Sequence, residues 1–209
     1  MIVFCTVVFV ISPGMKNFLL LSKQKVIISD LALPEKDIFL NRSAIMDSID
    51  SKFTHEKGIQ VVVLLGIGGS GKTTIARRYA KRMMSPIIWE INAENLDSFH
   101  YSMKELAYTF VDSKEDMETV NHIYNIEDTL EYETGLKNFL TKKISGYSNW
   151  LMIFDNVNSF HTIAKHFPHD STLWGNGKII ITTRDDNLEY NNYIPRKNII
   201  RMTELNSQE

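Results

Sequence analysis

Apolar positions along the chain switch between two periods, and the switches mark the elements. Ile45, Met46, Ile49 and Phe53 fall at helical spacing, with Asn41 or Ser43 available as N-cap. Residues 60–65 are a continuous apolar run of strand length. A helical pattern over 73–83 puts Ile75, Ala76 and Tyr79 on one face, and 86–91 reads as the next strand. Leu96, Phe99, Met103, Leu106, Ala107 and Phe110 then repeat at steps of three and four. Leu136, Phe139, Leu140 and Ile144 give another helix, 150–154 a strand, and Phe160, Ile163, Ala164 and Phe167 a short helix stopped by Pro168. Residues 175–177 form a loop, and 178–182 and 198–202 are strands. Buried strands alternating with amphipathic helices predict an α/β fold: a five-stranded, mostly parallel sheet covered on both faces. Ligands of such a sheet bind at the carboxyl ends of its strands.

Two segments depart from this rhythm. Residues 112–133 carry Asp112, Glu115, Asp116, Glu118, Glu127, Asp128, Glu131 and Glu133 against the single base Lys114, and read as a solvated helix-loop surface. Residues 2–11 are unbroken apolar, ended by Ser12-Pro13-Gly14. Ten residues are about half of a bilayer span. No positive charge precedes the run and no small-x-small site follows it. Three readings stay open: a peripheral strand, a weak export or membrane signal, and an upstream extension with the start at Met15. We divide the chain into an apolar extension, 1–34, and a folded α/β domain, 35–209.

Composition adds exclusions. In 209 residues, 44% are hydrophobic and 23% charged, which rules out a disordered tail, a collagen-like repeat and a coiled-coil rod. Lys+Arg 23 against Asp+Glu 25 leaves net charge −2, so no global field favours nucleic acid. The single cysteine, Cys5, excludes an intrachain disulfide and fits a reducing, cytoplasmic setting. It has no neighbouring base and is a poor nucleophile. His161, His166 and His169 lack metal-ligand spacing and read as surface or cap residues, and Trp89, Trp150 and Trp174 as core or loop anchors.

The chemistry lies between the first strand and the helix after it. Gly66-Ile67-Gly68-Gly69-Ser70-Gly71-Lys72-Thr73-Thr74 matches G-x-x-x-x-G-K-[ST]. Its glycines let backbone N–H groups turn inward, Lys72 can reach the β- and γ-phosphates, and Thr73 can offer a hydroxyl to Mg²⁺. Gly66, Gly68 and Gly71 also spell G-x-G-x-x-G, with Glu90 about twenty residues on, the dinucleotide fingerprint. That reading leaves Lys72 and Thr73 without a role. Residues 150–155 are an apolar strand ending in Asp155, which places a carboxylate near Mg²⁺ held by Thr73. Asn156 follows, able to orient water but not to take its proton. Arg184, after the strand 178–182, is placed for a terminal phosphate, with local pairing to Asp185, Asp186 or Glu189 as the alternative.

GIGGSGKTT at 66–74, IIWEINAEN at 87–95, WLMIFDNV at 150–157 and GKIIITTRD at 177–185 together resemble the NB-ARC family, nucleotide-binding switches of the STAND class of P-loop NTPases. Residues 38–42 are similar to that family's entry motif, in which Arg42 helps hold the adenine side. The resemblance implies a three-layer P-loop NTPase fold of ASCE type, with the Arg184 strand between the phosphate-loop and Asp155 strands. It implies ADP or ATP and Mg²⁺ as cofactors, and an ADP-held resting state that exchange for ATP opens. It also implies a helical lid, a winged helix and effector and sensor domains, none of which this sequence carries, so it reads as a fragment, a split gene product or a trimmed piece. Partners follow from that: nucleotide, self-association or those further domains, with no nucleic acid and no membrane indicated. The expected function is a regulatory switch with slow or no hydrolysis. A turnover ATPase or phosphoryl-transfer enzyme is the alternative, and a dinucleotide-dependent oxidoreductase a further one.

Overall fold

A computed structural model describes residues 25–33, 42–53, 57–190 and 193–203. The apolar run at 2–11, Cys5, Asn41 and most of the 38–42 motif lie outside them. The strands are β1 (Ile27–Ile28), β2 (Ile59–Leu65), β3 (Ile87–Asn92), β4 (Trp150–Val157), β5 (Gly177–Thr183) and β6 (Ile199–Arg201). They form one sheet in the order β1-β3-β4-β5-β2-β6, every pairing parallel. The sheet thus has six strands rather than the expected five. The extra one, β1, is only two residues long and pairs with β3 at the sheet edge. The expected placement of β5 between β2 and β4 holds.

Each central strand buries both faces. On β2, Val61, Val63 and Leu65 join one core, and Val62 and Leu64 the other. On β4, Trp150, Met152 and Phe154 face the first core, and Leu151 and Ile153 the second. A fully buried side chain of this size contributes about 1.5–3 kcal/mol, so a two-faced strand has no solvent-tolerant positions. That is why its residues read as a continuous apolar run.

Helices α1 (Ser43–Lys52) and α2 (Lys72–Arg82) cover the second core. Helices α3 (Leu96–Thr109), α4 (Lys114–Tyr124) and α5 (Thr129–Ile144) cover the first, with the short α6 (Phe160–Ile163) and α7 (Ser171–Trp174). Side-chain caps set four starts: Asn95 accepts from Ser98 N, Ser113 from Asp116 N, Asp128 from Glu131 N and Asp170 from Thr172 N. The expected cap of α1 does not hold, because Ser43 is its first helical residue and Arg42 occupies the N-cap without a capping bond. The acidic stretch 112–133 forms α4 and the head of α5, with Val120 and Ile123 turned into the core. Its expected solvation fails at Glu133, which is buried. Among the described residues, no helix is long and apolar enough to cross a membrane.

Candidate nucleotide-binding site

The chain leaves β2 at Gly66. The Gly66 N–H donates to Thr183 O at 3.2 Å. The Met202 carbonyl passes so close that a Cβ on residue 66 would lie 2.5 Å from it, so only glycine fits. The loop then turns through Gly69 and Gly71, at φ +79° and +82°. That left-handed region costs a residue with a Cβ about 1–2 kcal/mol. Left-handed residues set among right-handed ones turn successive N–H groups to one side, a concave anion seat. The unpaired N–H groups of α2, which begins at Lys72, end at the same place.

Three side chains fix this loop. Arg42 Nη1, buried, donates to Ser70 O at 2.9 Å. Ser70 Oγ donates to Ile67 O at 2.9 Å. Lys72 Nζ donates to Gly66 O at 2.7 Å and Ile67 O at 2.6 Å, and lies 3.4 Å from Ser70 Oγ. Burial, then the charge of Arg184, hold the Lys72 ammonium below the usual lysine range, while Asp155 opposes them. Arg42, Lys72 and Arg184 all lie against this loop, and such a concentration of positive charge gains from an added anion. Thr74 follows, half-buried, in the first turn of α2.

Parallel pairing of β2, β5 and β4 brings the distant residues in. Thr73 Oγ1 donates to Asp155 Oδ1 at 2.7 Å across 82 positions of sequence. Thr182 Oγ1 donates to the same oxygen at 2.6 Å and accepts from Asn156 N at 2.9 Å. Strand β4 does not end at 154 as expected. It runs on to Val157 through a register shift, and Asn156 sits there at φ +61°. Asn tolerates that conformation better than most residues, so backbone geometry accounts for its presence beside Asp155.

Arg184 is exposed, and its guanidinium lies against the loop: a Cβ on Gly68 would sit 3.1 Å from Cζ and Nη1. Of the three acids that could pair with it, Asp185 and Asp186 are engaged elsewhere, and the Glu189 side chain lies outside the described residues. Asp186 pairs with Arg201 at 2.9 Å, and Asp185 accepts from Asn187 N at 2.9 Å. A cavity of about 410 Å³ opens between Gly66, Gly68, Arg184, Asp186, Arg201 and Met202. The fold therefore gathers Arg42, Gly66 to Thr74, Asp155 and Arg184, with Asn156 adjoining through its backbone. Thr182 and Arg201 were not singled out by the sequence. Their only signal is position at strand ends whose neighbours become known with the strand order.

Two other expectations resolve here. Glu90, the acid of the dinucleotide fingerprint, is taken by Arg77, whose Nε donates to Glu90 Oε2 at 2.6 Å and whose Nη1 donates to Ala32 O at 3.0 Å. Of the three histidines, His161 and His169 are exposed, but His166 is not a surface residue: it packs on Phe99 and His100, with ring centroids 5.3 Å from each.

A parallel sheet in this order, with a glycine loop between β2 and α2, defines a P-loop NTPase fold. The sequence profile of the NB-ARC domain matches residues 42–209, and the chain belongs to that family. Among solved structures, it is similar to a STAND protein with a tetratricopeptide repeat sensor from Pyrococcus horikoshii, at 18% identity and TM-score 0.51 over 87% of this chain. It is also similar to Cdc6p from Pyrobaculum aerophilum, at 15% identity and TM-score 0.54 over 84% of this chain. The chain spans 26% of the first protein and 48% of the second. No curated protein sequence matches it. The family makes this a nucleotide-binding NTPase domain.

Proposed function

We propose that the chain is an ADP/ATP-operated switch domain in which the loop 66–74 holds the phosphates and Arg184 distinguishes ATP from ADP. One observation carries the reading: Thr73 Oγ1 and Asp155 Oδ1 meet at 2.7 Å beside the loop lysine. A hydroxyl and a carboxylate are the hard oxygen donors that suit Mg²⁺. When bound, Mg²⁺ neutralises phosphate charge. The protein's own part is positional: Thr182 orients the Asp155 carboxylate, Arg42 holds the loop at Ser70, and Lys72 supplies fixed positive charge. The switch itself follows the family, and coupling to a sensor follows the STAND relative, whose sensor is a tetratricopeptide repeat.

The direct test is the nucleotide released when the purified protein is denatured. ADP supports a resting switch, and a protein free of nucleotide that also fails to bind added ADP overturns the assignment. Arg184→Ala should weaken ATP about tenfold, the value of one exposed charge-assisted contact, and leave ADP within about twofold. Equal losses for both nucleotides would make Arg184 a structural residue.

The same geometry favours a switch over a turnover enzyme. Asp155 already accepts from two hydroxyls, and the next residue is an amide. General-base help is worth about 10²–10⁴-fold. Without it, hydrolysis should run well under about one turnover per second, against roughly 1–10³ for ordinary enzymes. Brisk steady-state phosphate release that is lost in Asp155→Ala would make this an ATPase instead.

A further inference from the structure

Away from the nucleotide site, a second polar cluster lies between α3, α5 and the 3₁₀ turn Ala164–His166 that follows α6. It holds His100, Glu133 and His166, one potential ligand atom each, all within 4.8 Å of one another. The two imidazoles converge on a single carboxylate oxygen. His166 Nε2 lies 3.4 Å and His100 Nε2 3.8 Å from Glu133 Oε1. Both distances exceed the usual 2.7–3.2 Å of an N–H···O bond. His100 Nε2 is buried with no hydrogen-bond partner. The other oxygen, Oε2, is occupied separately by Lys165 Nζ at 3.0 Å, on a side chain 68% exposed.

We propose that His100 Nε2, His166 Nε2 and Glu133 Oε1 bind one Zn²⁺ ion that ties α3, α5 and the segment after β4 together.

Spacing, ligand type and room all support this. Tetrahedral Zn²⁺ with bonds of about 2.0–2.2 Å sets neighbouring ligand atoms about 3.3 Å apart. The two histidine–glutamate separations, 3.4 and 3.8 Å, are close to this, and the histidine–histidine separation, within 4.8 Å, closes as the imidazoles move inward onto the ion. Two imidazoles and one carboxylate form a set that suits Zn²⁺, whereas Mg²⁺ and Ca²⁺ take oxygen shells. The cavity there is about 10 Å³, lined by the three ligands together with Phe99, Met103, Leu136, Lys137 and Trp174. It has room for about one water and for no organic ligand. An ion here would join the first core's helices to the chain leaving Asp155. It is independent of the nucleotide reading, because none of its ligands touches the loop 66–74.

The test uses the full chain, stripped with a chelator and free of nucleotide and Mg²⁺. Co²⁺ serves as the spectroscopic probe. One equivalent should give the visible absorption of a tetrahedral N/O site, and Zn²⁺ should displace it. Zn²⁺ at about a hundredfold over Kd should raise Tm by about 5–10 °C. His166→Gln and Glu133→Gln should each weaken Co²⁺ at least about tenfold, with ADP affinity unchanged, and His161→Gln should change nothing. The proposal is overturned if the folded wild-type protein shows neither the band nor the Tm shift. It is also overturned if the band survives His166→Gln or is lost equally in His161→Gln. Should a cluster variant fail to fold, the wild-type stoichiometry and Tm shift still decide.

Discussion

Lys72→Ala should weaken both ADP and ATP about ten- to a hundredfold in a calorimetric titration. The Lys72 ammonium is largely buried and sits among Gly66 O, Ile67 O and Ser70 Oγ. A charge-assisted contact to an anion in such a place is worth about 1.5–3 kcal/mol. The effect should be shared by the two nucleotides, unlike that of Arg184→Ala, because the ammonium lies inside the loop rather than across its mouth. Alanine also removes the stem that fills the loop, so Lys72→Met is the companion variant: it keeps the apolar stem and deletes the charge. If both variants melt like the wild type and both lose affinity, the charge is responsible. Unchanged affinity in Lys72→Met would remove the lysine, and with it the loop, from the nucleotide site.

How much of this was legible in the sequence depended on how local the cause was. The loop 66–74 was readable because nine consecutive residues carry the whole signal. The central strands were readable because burial on both faces leaves them no polar positions. Strand β1 was not: two isoleucines give no period. It is held instead by pairing outside itself, Ile27 N to Pro86 O at 2.8 Å and Ser29 N to Ile88 O at 2.9 Å. The acidic stretch hid α4 because charged residues surround Val120 and Ile123, the two that reach the core. Glu133 read as one more solvated acid, yet three partners from other elements, His100, His166 and Lys165, surround its carboxylate. In the candidate site the same divide appears. Lys72 and Thr73 follow from the motif, but Arg42 on Ser70 O and Thr182 on Asp155 exist only once the strand order sets them side by side. Asn156 shows the converse limit. Its chemistry suggested a weak substitute for a base, whereas its positive φ supplies a backbone reason for an asparagine.

Gly177→Ala should cost about 3 kcal/mol or more, the largest stability effect expected of a single methyl group in this fold. Gly177 opens β5 between Ile59 on one side and Trp150 on the other. A Cβ there would lie 2.1 Å from Trp150 Cδ2 and Cε2. The indole cannot simply step aside. Trp150 is fully buried, and its Nε1 donates to Trp174 O at 2.8 Å, with Trp174 itself buried. Overpacking alone costs about 1–3 kcal/mol. Rotating the ring away would add the cost of an unpaired buried N–H, about 1–3 kcal/mol. For a chain of this length a loss of about 3 kcal/mol lowers Tm by roughly 6–12 °C. The damage falls at the amino end of β5, whereas Thr182, Thr183 and Arg184 sit at its carboxyl end. ADP affinity measured well below Tm should therefore stay within about twofold of wild type, separating stability from binding. Trp150→Ala removes the whole ring that the new methyl group would meet. The double variant should then be more stable than the two single losses predict, by about 0.5–3 kcal/mol of coupling. Additive losses, or a Gly177→Ala protein that melts with the wild type, would show that the ring does not press on this glycine in solution.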